Sequence, residues 1–237
     1  MTSASFPRHS RHRAADRLRA IHGAVARAQS SIIVVSGSDG GGKSHLVNSV
    51  LVELTGVTSV LVRALPWEQD VRWVVAARVL ERLPHPGPET LRRPGPHAAG
   101  QSGTDQPGAE PSGPGVLVGA LARAFIAAGP GTVVVVDDAE YSDQESLRIL
   151  ASALEAAGPT SVLLVLTVGS PAQGPSAALC AQLARETIRL GPLDLSEIRE
   201  LVATRTGREP TAAAARRLLE FTGGEAGAVA TVVDEVS

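Results

Sequence analysis

The chain has 237 residues, 43% of them apolar but only 3% aromatic, and its 22 Lys and Arg nearly balance 24 Asp and Glu to a net charge of −2. That length accommodates one large α/β domain with a small helical appendage, its core built from Val, Leu, Ile and Ala. Composition excludes global attraction to nucleic acid or anionic membrane, and the single Cys180 excludes an internal disulfide framework or a cysteine zinc site.

Residues 1–14 carry Arg8, His9, Arg11, His12 and Arg13 among Ser and Pro, without periodicity and without the apolar centre of a secretory signal. A disordered basic tail and a cytoplasmic setting are expected. No apolar run reaches the roughly 20 residues of a membrane span, so no membrane partner is expected. Over residues 15–28, Leu18, Ile21, Val25 and Ala28 recur at helical spacing. The apolar run from Ser31 to Ser36 then reads as a first strand.

It delivers the chain to Gly37-Ser38-Asp39-Gly40-Gly41-Gly42-Lys43-Ser44, a complete G-x-x-x-x-G-K-[ST] phosphate loop. Glycines let backbone N–H groups turn inward around a phosphate, and the helix that follows adds its partial positive charge. Lys43 is the candidate for the β- and γ-phosphates, and the Ser44 hydroxyl for Mg²⁺. Leu46, Val50 and Leu54 mark the inner face of that helix, while His45 at its start is read as surface or packing rather than catalytic.

Residues 58–64 form a second strand, and Val71, Val74, Val75, Val79 and Leu80 predict a helix, with Trp67 and Trp73 packing the layer. Arg63, Arg72 and Arg78 are read as a solvated face. Residues 84–115 are crowded with Pro and Gly and hold almost no large apolar side chain, so a disordered insert inside one domain is expected. Beyond it come a helix over 116–128, a third strand over 132–137, a helix over 142–157 with Ser142 and Glu145 as a capping box, a fourth strand over 161–167 and a short fifth over 187–190. Leu147, Leu150 and Leu154 form an inward stripe on that helix. Alternating strands and helices imply a parallel sheet.

The third strand, Val133-Val134-Val135-Val136-Asp137-Asp138, ends in acids at the sheet's C-terminal edge. Asp137 is the candidate for the Mg²⁺ shell, and Asp138, with Glu140 and Asp143 as alternatives, for polarising an attacking water. Asp143 also suits a helix cap, where the dipole favours it. Strands cease after residue 192. Asp194 with Glu197 caps a helix holding Ile198, Leu201 and Val202; Leu218, Leu219 and Phe221 mark a second, and Val229, Val232 and Val233 a third. Cys180 receives no role.

The phosphate loop, then VVVVDDAEYSDQESLRIL, SVLLVLT, IRLGPLDLSEIRELV and FTGG, in this order, resemble the AAA-related ATPase module of the STAND class. Within that class the sequence is most similar to the N-terminal module of large ATP-binding LuxR-type transcriptional regulators of actinomycetes, over residues 15–236 apart from the Pro/Gly insert. The resemblance implies a three-layer P-loop NTPase of α/β class, with a parallel five-stranded sheet in order 5-1-4-3-2. It implies ATP and Mg held between a core over 15–192 and a helical lid over 193–237, with nucleotide state used as a switch and slow hydrolysis. By motif, Gly37, Gly42, Lys43 and Ser44 take the phosphate-loop roles, with Ser38, Asp39, Gly40, Gly41 and His45 completing the nucleotide-contacting set. Asp137 and Asp138 are the paired acids, and Thr222, Gly223 and Gly224 the lid turn beside the nucleotide.

Three departures stand out. Gly41 replaces the family's Ile or Val, which predicts a more mobile loop. Thr167-Val168-Gly169 offers no cation after the fourth strand, and Glu225-Ala226 replaces Asn-Pro after the lid turn. The family's helical repeats and DNA-reading helix-turn-helix have no counterpart up to Ser237. Either a stand-alone or truncated module is expected, or an output delivered through a partner protein or self-association, without sequence-specific DNA binding by this chain. Two other readings stay open: a nucleotide-binding scaffold with negligible hydrolysis, and a nucleotide-type kinase, since Ser38-Asp39-Gly40 is similar to the loop of thymidylate kinases. A DNA-loading ATPase is a weaker fourth.

Overall fold

Unbroken apolar strands pair most stably where both faces are covered, and that places β3 (Val133–Asp137) and β4 (Leu163–Gly169), buried at every position, inside the sheet. The structure is a computed structural model describing residues 10–27, 29–84, 113–171 and 174–236. Residues 1–9, Ala28 and the bulk of the expected insert, 85–112, lie outside the described residues.

With β1 (Ser31–Gly37), β2 (Ser59–Arg63) and β5 (Glu186–Arg189), the strands run parallel in the order β2-β3-β4-β1-β5, the expected 5-1-4-3-2 read from the other edge. Pairing sets Gly37 beside Gly169 and Arg63 beside Asp137, so these strand ends share one edge of the sheet. The period of two then divides the core. Val34, Val134, Val136, Leu164 and Leu166 face one side, and Ile33, Val35, Val133, Val135, Leu163 and Val165 the other.

The second face is covered by α1 (Arg11–Val25) and α2 (Lys43–Glu53), the first by α3 (Val74–Arg82), α4 (Pro114–Ala128), α5 (Gln144–Ala157) and α6 (Pro175–Leu183). Helices α3 and α4, on either side of the insert, pack on each other and on α5, with Phe125 and Leu121 fully buried. Helix α4 begins at Pro114, inside the expected insert, because proline suits the first helical turn, where its missing N–H costs nothing.

Several local expectations change. Helix α1 starts at Arg11, so residues 11–14 are helix and not tail; Ala14 and Ala15 are buried. Trp67 is 73% exposed on a short 3₁₀ turn, and Val71 precedes the helix instead of joining it. Trp73 does pack the layer, its backbone at φ 65° held by a bond from its N–H to Asp143 Oδ1 at 3.0 Å and its Nε1 donating to Glu145 Oε2 at 2.7 Å. Asp143, not Ser142, caps α5, accepting from the Ser146 N–H at 2.8 Å. Ser142 is instead fully buried, and Glu145 is spent on Trp73.

Helices α7 (Leu195–Thr206), α8 (Ala212–Thr222) and α9 (Ala226–Val236) close a small separate core of Leu193, Ile198, Val202, Ala215, Val229 and Val233. The Asp194–Glu197 capping box is present, the Glu197 N–H donating to Asp194 at 2.9 Å and the Asp194 N–H to Glu197 at 3.0 Å. Phe221 points outward, 80% exposed.

Cys180, on α6, is fully buried; burial first, and then the charge of Glu140, push its thiol up to about 12. Thiolate is the reactive form. Iodoacetamide at pH 8 is therefore expected to leave Cys180 unmodified in the native protein and to label it after denaturation, read by intact mass. Native labelling at the rate of free cysteine would contradict the burial.

Candidate functional site

Strand β1 ends at Gly37 and α2 begins at Lys43, so residues 38–42 must reverse the chain within five positions. Gly40 and Gly42 do so at φ of 70° and 83°, a region open to glycine at little cost. Gly41 serves close approach. Its N–H donates to Ser38 O at 2.9 Å, and a Cβ there would lie 2.7 Å from that same oxygen. The N-cap of α2 is Gly42, with no side-chain cap, so the first-turn N–H groups face the cleft as anion donors.

Lys43 is 6% exposed, its Nζ donating to the carbonyls of Gly37 at 3.1 Å and Ser38 at 3.0 Å. The ammonium thus rests on the loop's own carbonyls, at the place a bound phosphate would draw it from. Asp39 Oδ1 lies 3.9 Å away. The next residue, Ser44, reaches across the sheet edge: its Oγ donates to Asp137, at 2.7 Å from Oδ1 and 2.9 Å from Oδ2.

Asp137 closes β3 and is 7% exposed. A second hydroxyl serves it, Thr167 Oγ1 of β4, donating to Oδ1 at 2.6 Å. That same Thr167 oxygen accepts the Asp138 N–H at 2.9 Å, so one side chain stitches both acids together. Asp138 stands at φ 54°, a left-handed conformation Asp tolerates better than most residues. Its Oδ2 accepts from Arg63 Nε at 2.8 Å, and this hydrogen bond, then the charge of Asp138, raise the pKa of Arg63 above its ordinary value.

Glu140 lies in a 3₁₀ turn after β3. Its Oε1 accepts from the Gly169 N–H at 2.8 Å, while Oε2 is buried without a partner. Burial is the main cause that moves its carboxyl above the ordinary range.

These groups line a cleft of about 380 Å³, formed by Asp39–Ser44, Arg63, Asp137, Asp138, Glu140 and Tyr141. The structure therefore brings together Asp39, Gly40, Gly41, Gly42, Lys43, Ser44 and both acids, while Gly37 and Ser38 lie outside the lining. His45 is exposed and outside the lining, and Asp143 is turned away as a helix cap. Among the described residues no three His, Cys, Asp or Glu converge as a metal cage. A serine hydroxyl beside one carboxylate does fit Mg²⁺, a hard cation that takes a few protein oxygens and fills its shell with phosphates and water.

Residues 10–166 match the AAA ATPase domain, well over half of the chain. The chain belongs to the AAA ATPase domain family. No curated protein sequence matches it. Solved structures of similar fold include the Thermotoga maritima RuvB Holliday junction branch migration motor, at 13% identity and TM-score 0.54, over 94% of this chain and 60% of that one. The Walker-type ATPase of Pyrococcus abyssi superposes at 13% identity and TM-score 0.54, over 95% and 68%. A Signal Transduction ATPase with Numerous Domains protein of Pyrococcus horikoshii, carrying a tetratricopeptide repeat sensor, gives 14% and 0.51 over 88% and 28%. At such identities the likeness is one of fold, and this AAA ATPase domain spans about three-fifths of the RuvB length.

The AAA ATPase domain also holds residues that periodicity does not mark. Arg11 donates to Gly41 O at 2.6 Å and to Gly191 O, and its N–H donates to Glu197 Oε1 at 2.5 Å. Burial lowers its pKa against the pull of Glu197, Glu225 and Asp194. The turn at Thr222–Gly224 rests on the connection at Leu193, and the residues after it reach the phosphate loop. Ser38 Oγ donates to Glu225 Oε2 at 2.6 Å, and the Gly227 N–H to Gly40 O at 2.8 Å. No helix among the described residues is long and apolar enough to cross a membrane.

Proposed function

We propose that this AAA ATPase domain binds ATP with Mg²⁺ in the cleft at the end of β1 and β3, hydrolyses it slowly, and uses nucleotide state to regulate a partner. The observation that carries the reading is the direct bond from Ser44 to Asp137, which brings the two expected Mg²⁺ ligands together beside an uncapped helix N-terminus and a buried lysine. In this reading Lys43 moves from the loop carbonyls to the β- and γ-phosphates, and Asp138 polarises the attacking water.

Contacts of Glu225 and Gly227 with the loop support a role for α7–α9 as a lid, since a phosphate entering the loop changes the groups they touch. Output through a partner protein or self-association in the cytoplasm, and kinship with LuxR-type regulators, complete the proposal. Lys43→Ala is expected to weaken ATP binding about 100-fold by calorimetry, because the lost contact is charge-assisted on both sides. Unchanged affinity would remove the assignment.

A second reading, a scaffold that binds nucleotide with negligible turnover, is favoured by one feature: Asp138 is already engaged by Arg63. Turnover no faster than that of an Asp137→Ala control would select it.

A further inference from the structure

The cleft holds a second cation that the phosphate-loop motif does not explain. Among the described residues lining it, the cations are Lys43 and Arg63. The β4 end, Thr167-Val168-Gly169, contributes none.

Arg63 combines a fixed backbone with an exposed side chain. It closes β2 opposite Asp137, and the next N–H, of Ala64, donates to Asp137 O at 2.9 Å, so its Cα is held level with the proposed Mg²⁺ ligand. Its side chain is 66% exposed and meets Asp138 through Nε. An exposed ion pair of this kind is weak and readily exchanged, because water screens it and ordering two side chains opposes it. A terminal phosphate offers more charge than one carboxylate, and three oxygens matched to the guanidinium fork.

We propose that Arg63 is the residue that distinguishes ATP from ADP: it rests on Asp138 when no terminal phosphate is present and transfers to the γ-phosphate when ATP binds. The proposal depends on the nucleotide reading above. Transfer has a second effect. The Asp138 backbone is held by its N–H bond to Thr167, so Arg63's departure leaves beside the cleft a carboxylate whose Oδ2 is open to accept a hydrogen bond from water. After hydrolysis Arg63 returns and closes Asp138 off. Strand β2 thereby supplies the cation that the end of β4 lacks.

The test is calorimetric affinity for ATP and for ADP, each with Mg²⁺, on the full chain and its R63A, R63K and K43A variants, together with turnover at saturating ATP. R63A is expected to weaken ATP about tenfold, the scale of one charged hydrogen bond, and to leave ADP within about twofold. Turnover falls with it, and R63K, which keeps the charge without the fork, regains part of the ATP affinity. An unchanged ratio of ATP to ADP affinity in R63A overturns the proposal, whether both affinities hold or both fall together. Faster turnover in R63A overturns it too, since Arg63 would then be only a restraint on Asp138. Failure of the underlying reading has a different signature: the unmodified chain binds neither nucleotide, or K43A binds both as well as it does. Because the Arg63 side chain is exposed, thermal melts of R63A are expected to overlay those of the parent chain.

Discussion

Asp137→Asn is expected to lower Mg²⁺-dependent ATP turnover by about a thousandfold, measured as phosphate release, without unfolding the protein. The carboxylate accepts the Ser44 hydroxyl, so the substitution removes the negative charge that would hold the cation while keeping the side chain's shape. Metal stabilisation of a transferring phosphoryl group is worth several kcal/mol, and each 1.36 kcal/mol is a factor of ten. The structural cost is smaller. Ser44 and Thr167 both aim hydroxyls at the carboxylate, and both can rotate to share an amide, which leaves about one hydrogen bond imperfect, or ~1 kcal/mol. For a chain of this length that moves the melting temperature by about 2–4 °C. Turnover within tenfold of the parent, or a collapse of the melt, would each contradict this account of Asp137.

The parts of the site that could be read from the chain are those in which chemistry and periodicity coincide. The phosphate loop follows an apolar strand and opens a helix, and Asp137 ends a run of four valines, so each is marked twice. Arg63, Thr167 and Arg11 are marked by neither signal. Arg63 looked like one of three exposed arginines because its place depends on the pairing of β2 with β3, a contact across 74 positions that local pattern does not contain. One rule would have found it: in a parallel sheet every strand's last residue lies at the same edge, where ligands bind. Applied here it selects Gly37, Arg63, Asp137, Gly169 and Arg189 together, and of these Gly37 opens the phosphate loop and Arg63 and Asp137 line the cleft. Thr167, two residues before the end of β4, is fully buried, and its value lies in the hydroxyl rather than in the charge that seemed to be missing there.

The inner boundary of the expected tail shifts for a related reason. Residues 11–14 are polar enough to pass as disordered, yet the Arg11 guanidinium donates to two carbonyls, those of Gly191 and of Gly41 in the phosphate loop. Trp67 erred in the opposite direction. Aromatic residues are usually buried, but the chain turns at Pro66 before the helix forms and leaves that ring outside. Hydrophobicity sets which elements pack, and turn geometry sets which individual side chains go with them.

The junction between the sheet and the C-terminal helices supplies the other large effect. Gly224→Ala is expected to destabilise that attachment by about 3 kcal/mol, the sum of ~1–2 for a left-handed backbone bearing a Cβ and ~1–3 for overpacking. Gly224 stands at φ 78°, and a Cβ there would lie 2.5 Å from Leu193 O and 3.0 Å from Pro192 Cβ, inside the contact distance of a backbone atom that cannot step aside. The same residue accepts the Leu193 N–H at 2.7 Å, so moving it breaks the hook that ties the turn before α9 to the end of the sheet. Since α7–α9 close a core of their own, the loss is expected as local opening and not global unfolding. Hydrogen exchange should accelerate about 100-fold for amides in α7–α9 whose protection depends on docking, with strands β1, β3 and β4 unchanged. The Gly227 N–H, bonded to Gly40 O, should exchange with the helices, because its partner lies across the opening. Acceleration spread evenly through the sheet would mean that the helices and the sheet unfold as one unit, and that the phosphate loop cannot feel the lid separately from the core.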